Sequence, residues 1–345
     1  MNRIIEEDIQ RIHFQCPFLD GWKGKTVLVT GATGLIGRNV VYTLLNYNKR
    51  HHGEISVVAY VRNFDKANQL FADYTNDTYL QIIVGDILSP VRYSGKVDAL
   101  IHTASTTASA DFVQHPVETI KTALQGTDNV LQFAHTKGIQ KVIYLSSLEV
   151  YGMPDTFEVT ESSLGTIDWT QVRSSYSEGK RMVECLCRSY ADEYKVPVVI
   201  ARLAQTFRAG IDNTDQRVYA QFARAVVNQT DIILKTKGET VRNYCYLSDA
   251  VAAVLYLVEK GEMGEIYNVA NEDTACSIAE MATMVANLSN GKTKVGFEIT
   301  DDSNKLGYLP TFKIKLLSNK LQALGWTPLV NLKDAFQKTI DSMLL

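Results

Sequence analysis

Up to Arg202, apolar runs of strand length alternate with stretches whose apolar residues recur at helical spacing. Such alternation predicts βαβ units and a parallel sheet, because each strand then needs a crossover helix before its neighbour can pair in the same direction. Strands are expected near Thr26–Thr30, Ile55–Val61, Leu80–Val84, Ala99–His102, Val142–Ser146 and Val198–Arg202. The longest helices are expected over Pro116–Lys137, closed by Gly138, and over Ser175–Tyr194, stopped before Pro197.

Beyond Arg202 the pattern loosens, with helices expected near Tyr219–Val227 and Leu247–Lys260 and a strand at Ile266–Val269. Ser277-Ile-Ala-Glu280 has the spacing of a capping box, one helix ends before Gly325, and a last helix covers Leu332–Leu345. The reading is an α/β chain: a Rossmann-type doubly wound parallel sheet with a smaller C-terminal α/β substrate lobe. Residues 1–23 form a helical extension, residues 24–204 with returning segments near 240–270 the dinucleotide-binding domain, and residues 205–239 and 271–345 the lobe. No repeat or linker composition separates them, so the two parts are expected to interweave.

Composition narrows the function. With 345 residues, 46% apolar and 21% charged, the chain can bury a full core, and a net charge of -3 without a Lys/Arg run argues against nucleic-acid binding. The five cysteines lack any Cys-x-x-Cys pair, and the six histidines form no metal-binding pattern; His51-His52 is read as part of a loop beside Gly53. No metal site is expected, and the odd cysteine count fits a reducing compartment. Neither a signal peptide nor a membrane span is legible, which makes the cytoplasm the expected location.

Two constellations carry candidate chemistry. The first is Gly31-Ala-Thr33-Gly34-Leu35-Ile36-Gly37, a glycine-rich turn between the first strand and a helix. There the backbone turns tightly, and a pyrophosphate can approach the unpaired N–H groups and positive dipole end of the helix. The second strand ends Tyr60-Val61-Arg62, offering an arginine where a carboxylate would bond the ribose of NAD; Arg62 suits the 2′-phosphate of NADP. The cofactor is therefore NAD or NADP, with NADP suggested by Arg62.

The second constellation is Tyr176-Ser-Glu-Gly-Lys180, a phenol and an ammonium on one helix face, with Ser147 at the end of the fifth strand. A nearby cation is expected to lower the phenol's pKa, allowing Tyr176 to take a hydroxyl proton while Ser147 aligns the reacting oxygen.

The glycine turn, Ser146-Ser147-Leu-Glu149-Val-Tyr-Gly152 and Tyr176-x-x-x-Lys180, in this order, resemble the extended short-chain dehydrogenases/reductases of the NAD-dependent epimerase/dehydratase family, over nearly the whole chain. Within it the similarity is greatest to the UDP-glucuronate decarboxylase branch, through Tyr176–Arg181, Arg217-Val218, Val241–Asp249 and Leu324-Gly-Trp-Thr-Pro328. The resemblance implies that Asp86 and Ile87 border the adenine, that Thr103, Ala104 and Ser105 line the cofactor with Tyr176 and Lys180, and that Thr106, Gln205, Arg217 and Arg242 contact the substrate. It further implies that C4 of a nucleotide-diphosphate sugar is oxidised, that Glu149 manages a proton or water near C5, and that the molecule is a homodimer.

Leu148, Ala123, Gln205 and Arg208 depart from the family's usual residues. Together with Arg62 they keep open an NADPH-dependent reductase of a nucleotide-linked keto sugar or keto polyol. A non-catalytic nucleotide-binding protein is a third reading.

Overall fold

A computed structural model describes residues 2–211, 214–299 and 311–345. Its centre is a seven-stranded, fully parallel sheet of β1 (Thr26–Thr30), β2 (Ser56–Val61), β3 (Leu80–Val84), β4 (Ala99–His102), β5 (Lys141–Ser147), β6 (Val198–Leu203) and β7 (Ile266–Val269), in the order β7-β6-β5-β4-β1-β2-β3. The order reverses at β1, leaving a crevice at the carboxyl ends of β1 and β4, where ligands of doubly wound sheets bind. All six strands expected before Arg202, and Ile266–Val269, are present with small boundary shifts.

The strands read as nearly unbroken apolar runs because both faces of the sheet are buried. Val27 and Val29, Val57 and Ala59, Ile143, Val199 and Ala201 pack on one side, with the Leu35–His51 and Leu247–Lys260 helices and the buried Trp22 and Trp326. Leu28, Val58, Leu100, Val142, Val198 and Ile200 face the other side, against the Pro116–Lys137 and Ser174–Glu193 helices. Gly138 closes the first of these helices at φ 62°.

The lobe's core, around Phe207, Tyr219, Phe222, Tyr244, Tyr246 and Phe336, is a separate cluster. A three-stranded sheet of Gln205–Phe207, Val241–Tyr246 and Asn271–Ser277 organises it, mixing parallel and antiparallel pairing. Periodicity did not show these strands: Gln205–Phe207 is short, and Val241–Tyr246 carries a register shift between Arg242 and Tyr244. Ser277 and Glu280 form the expected capping box.

The N-terminal Arg3–Gln15 helix is built into the molecule: Asp8 accepts from the Tyr246 hydroxyl at 2.7 Å and pairs with Lys338 at 2.9 Å. His51 and His52 do not sit in a loop. His51 ends the Leu35–His51 helix, stacked on Tyr47 at 4.6 Å, and His52 caps it in the left-handed conformation. Among the described residues no cluster of His, Cys, Asp and Glu could hold a metal ion, and no helix is long and apolar enough to cross a membrane. All five cysteines are free thiols.

Candidate active site

The glycine turn is fixed by contact with the loop after β4. Gly31 has φ 65°, and a Cβ placed there would lie 2.7 Å from the backbone of Ala104; one on Gly37 would lie 2.6 Å from the Gly31 carbonyl oxygen. Only glycine tolerates both demands. Gly34 is the N-cap of the following helix and offers no side chain to its first turn, so the N–H groups there are left for a ligand. Such a cradle fits the pyrophosphate of a dinucleotide.

The expected cofactor residues divide by what their side chains do. Thr103 donates to the Thr30 carbonyl at 2.7 Å, so its hydroxyl braces the turn. Ser105 donates to the Thr106 carbonyl, and Thr33, Ala104 and Thr106 are partly buried along the same edge. Asp86 accepts from the Leu88 amide at 2.9 Å. Ile87 is buried against Gly126, where an added Cβ would come within 2.6 Å of its Cδ1, and Asn129 donates to the Ile87 carbonyl at 2.7 Å. Gly126-Thr127-x-Asn129 thus locks the long helix onto the segment after β3. Arg62 is exposed beyond β2, and no hydrogen bond or ion pair within the described residues engages its guanidinium.

Behind the turn lies a buried polar chain. Thr30 and His102 meet at 2.7 Å through Nδ1, and Nε2 of the same ring meets Thr127 at 3.1 Å. Burial and then the nearby Lys180 push His102 down to about 3, so its ring is neutral and cannot add charge to the crevice. His102 thus ties β1, β4 and the long helix together.

At the carboxyl end of β5, Ser147, Tyr176 and Lys180 come together. Ser147 lies close enough to the Tyr176 hydroxyl to favour its ionised form, and Lys180 lies under the Tyr176 ring, 5.8 Å from its centroid. The Lys180 ammonium is buried, donates to the Leu145 carbonyl at 2.7 Å, and sits 4.7 Å from the Tyr144 ring centre. Burial pushes it down to about 8, with Glu184 opposing. The expectation that Lys180 lowers the phenol's pKa is not met here. Burial and then Glu149 push Tyr176 up, against smaller lowering effects of Ser147 and Arg173. Lys180's proton is directed at the Leu145 carbonyl, not at the phenol oxygen.

Glu149 is neither solvated nor free. Arg173 grips both its oxygens in a fork at 2.8 and 3.1 Å, and Ser177 donates to it at 3.0 Å. The Arg173 guanidinium also lies over the Phe112 ring at 5.6 Å, and that ring stacks on Tyr176 at 4.2 Å with the two planes nearly parallel. Sequence reading missed Arg173, Phe112 and Ser177. One arginine in a polar stretch and one phenylalanine in a short helix carry no spacing signal, although Arg173 precedes Tyr176 by one helical step. A second pair, Arg202 with Glu184 at 2.6 Å, lies deeper and is joined by Ser146.

Apart from Thr106, which follows β4, the expected substrate residues lie beyond β6. Gln205 begins the strand paired with Tyr244, and Arg242 lies in the same sheet with its Nε buried and without a hydrogen-bond partner. Arg217 caps the Val218–Asn228 helix, its fork given to Asp215, with Nη2 at 2.6 Å.

Comparison with known proteins places the chain in a family and a fold. The model of the NAD dependent epimerase/dehydratase family matches residues 27–270. A UDP-glucuronic acid decarboxylase of Arabidopsis thaliana is 28% identical over 309 residues, covering 89% of this chain and 85% of that protein. The dTDP-D-glucose 4,6-dehydratase of Homo sapiens is 28% identical over 335 residues, covering 94% and 91%. Among solved structures, an epimerase from Methanothermobacter thermautotrophicus superposes with TM-score 0.79 at 20% identity, covering 96% of this chain and 95% of its own. A dTDP-glucose 4,6-dehydratase from Streptomyces venezuelae with NAD bound gives TM-score 0.75 at 21% identity, covering 92% and 96%. With its glycine turn, its β5 serine and its helical tyrosine and lysine all on one sheet edge, the chain belongs to the NAD dependent epimerase/dehydratase family of extended short-chain dehydrogenases/reductases.

Proposed function

We propose that this enzyme oxidises C4 of a nucleotide-diphosphate sugar, in a reaction most like that of UDP-glucuronate decarboxylases or nucleotide-sugar 4,6-dehydratases and epimerases. The observation that carries the reading is the meeting of Ser147 and Tyr176 over Lys180 on the same sheet edge as the glycine turn. Curated relatives that cover most of the chain act on such sugars, as their names state.

A nicotinamide dinucleotide, when bound, takes a hydride from the carbinol carbon and can return it. The chain's own part is to place and move protons. Ser147 aligns the sugar hydroxyl, and Tyr176, once ionised to the phenolate, accepts its proton. Lys180, held under the ring by the Leu145 carbonyl, puts a positive charge behind the phenol without contacting its oxygen. Glu149, fixed by Arg173, is the carboxylate for the neighbouring carbon. Arg242, with a buried donor unspent, and Arg217 are the candidate holders of the diphosphate or a sugar carboxylate. NAD or NADP serves as cofactor, and a homodimer in the cytoplasm is the expected setting.

A second reading rests on Arg62. Its exposed, unengaged guanidinium favours a 2′-phosphate and hence an NADPH-consuming reductase of a nucleotide-linked keto sugar or keto polyol. One experiment separates the readings: purified protein is incubated with a panel of nucleotide sugars while nicotinamide absorbance and product mass are followed. Carbon dioxide or water lost without net cofactor turnover supports the lyase. Stoichiometric NADPH loss rejects it, and no change with any sugar rejects both.

A further inference from the structure

The geometry points to Arg173 as a positioning residue that holds Glu149 and the Phe112–Tyr176 stack in one arrangement and offsets the carboxylate's charge at the phenol. This rests on the proposed role of Tyr176 as the proton acceptor.

Three observations converge on the one side chain. Its fork takes both oxygens of Glu149, at 2.8 and 3.1 Å, so the carboxylate cannot rotate without losing two charge-assisted bonds. Its flat face covers Phe112, whose ring in turn lies 4.2 Å from that of Tyr176. Arg173 is also the N-cap residue of the Ser174–Glu193 helix, and the Tyr176 amide bonds the Arg173 carbonyl at 3.4 Å, so backbone and side chain meet the same tyrosine. Arg173 and Glu149 are both largely shielded, with side chains 17% and 14% exposed, so their fields at the phenol are only partly screened.

The groups facing Tyr176 can be named element by element. The turn after β5 brings Glu149, β5 itself brings Ser147 and the buried Tyr144, the Ser109–Gln114 helix brings the uncharged Phe112, and the tyrosine's own helix brings Arg173 at its start and Lys180 from below. Glu149 disfavours the phenolate and Arg173 favours it. Removing either must therefore move the phenol in opposite directions, which loss of packing alone would not do.

The test uses Arg173→Gln, Glu149→Gln, the double substitution, and Arg173→Lys, which keeps the charge but not the fork. Phenolate ultraviolet absorbance, taken as the difference between each protein and the same protein carrying Tyr176→Phe, is titrated with NAD at saturation and no sugar. Arg173→Gln is expected to move the ionisation to higher pH and Glu149→Gln to lower pH, each by roughly half a unit or more, with the double substitution close to wild type. Arg173→Lys is expected to keep the titration in place and to lower kcat more than it raises KM, through loss of the fork. Shifts of the same sign, or none, overturn the role. Should Arg173→Gln fail to fold, a Glu149→Gln shift to higher pH, or an Arg173→Lys titration displaced as far as that of Glu149→Gln, overturns it. Because the titration needs no sugar, failure of every nucleotide sugar to turn over rejects the functional reading without touching this result.

Discussion

The two walls proposed for the crevice, one for the cofactor and one for the substrate, are built on different principles. The cofactor wall is backbone: a glycine turn, a helix N-terminus, and hydroxyls and an imidazole spent on neighbouring carbonyls and one another. The substrate wall is side chains: Glu149 in the fork of Arg173, Arg217 in the grasp of Asp215, and Arg242 with a donor to spare. A backbone wall recognises what every dinucleotide shares, whereas a wall of paired charges can be re-sorted to suit different substrates. The contrast suits a family in which relatives of this chain carry names for decarboxylation, dehydration and epimerisation.

The sharpest way to separate the walls is at their junction. Tyr176→Phe removes the phenol oxygen and keeps the ring that stacks on Phe112. Turnover is expected to fall about a thousandfold or more while cofactor affinity is retained. Measured by isothermal titration and product mass, a comparable loss of cofactor binding would show that the tyrosine belongs to the cofactor wall. Gly31→Ala attacks that wall alone: positive φ and a clash with the Ala104 backbone are expected to cost about 3 kcal/mol of stability and most cofactor affinity. An alanine variant with unchanged melting and binding would mean the turn is not rigid.

The same contrast decides how much could be read before the structure. Strands, long helices, Gly138 as a cap and the Ser277–Glu280 box were legible because each depends on neighbours within a few residues. The glycine turn and Tyr176/Lys180 share that locality. What stayed hidden joins distant segments: Phe112 and Arg173 meet only through the fold, and the lobe's sheet pairs Gln205–Phe207 with Val241–Tyr246 across an intervening helix. The phenol's upward shift was hidden too, since burial of Tyr176 outweighs any single charge that spacing could suggest.

Rigidity of the cofactor wall should also appear as a pH signature. His102 holds its neutral form from the usual 6.5 down to about 3, chiefly by burial. On acidification the unfolded chain binds this proton first, so the group's share of stability is present above 6.5 and is lost as pH falls toward 3. His13, pushed down to about 4 by burial, acts in the same direction, whereas Asp249, raised by burial to about 6, opposes both below that pH. Denaturant unfolding at pH 6.5 and 5 is expected to lose about 2 kcal/mol through His102, a loss absent from His102→Gln. An identical pH slope in both proteins would mean the ring is protonated in the folded state.

Arg62 gives the smallest expected effect and sharpens the comparison most finely, because it is the one charged candidate of the cofactor wall left without an ion-pair or hydrogen-bond partner among the described residues. A guanidinium at a strand end adds little to stability when it touches nothing, so Arg62→Ala should leave melting unchanged. Its worth lies in discrimination: against a 2′-phosphate it supplies charge-assisted bonds, and against a bare ribose it supplies none. The substitution is therefore expected to weaken NADP binding about tenfold, equivalent to about 1.4 kcal/mol, and to leave NAD binding within a factor of about two. Equal loss for both dinucleotides, measured by fluorescence titration at constant ionic strength, would mean that Arg62 supports the strand end rather than reading the phosphate. The NADPH-reductase reading would then lose the residue that motivates it.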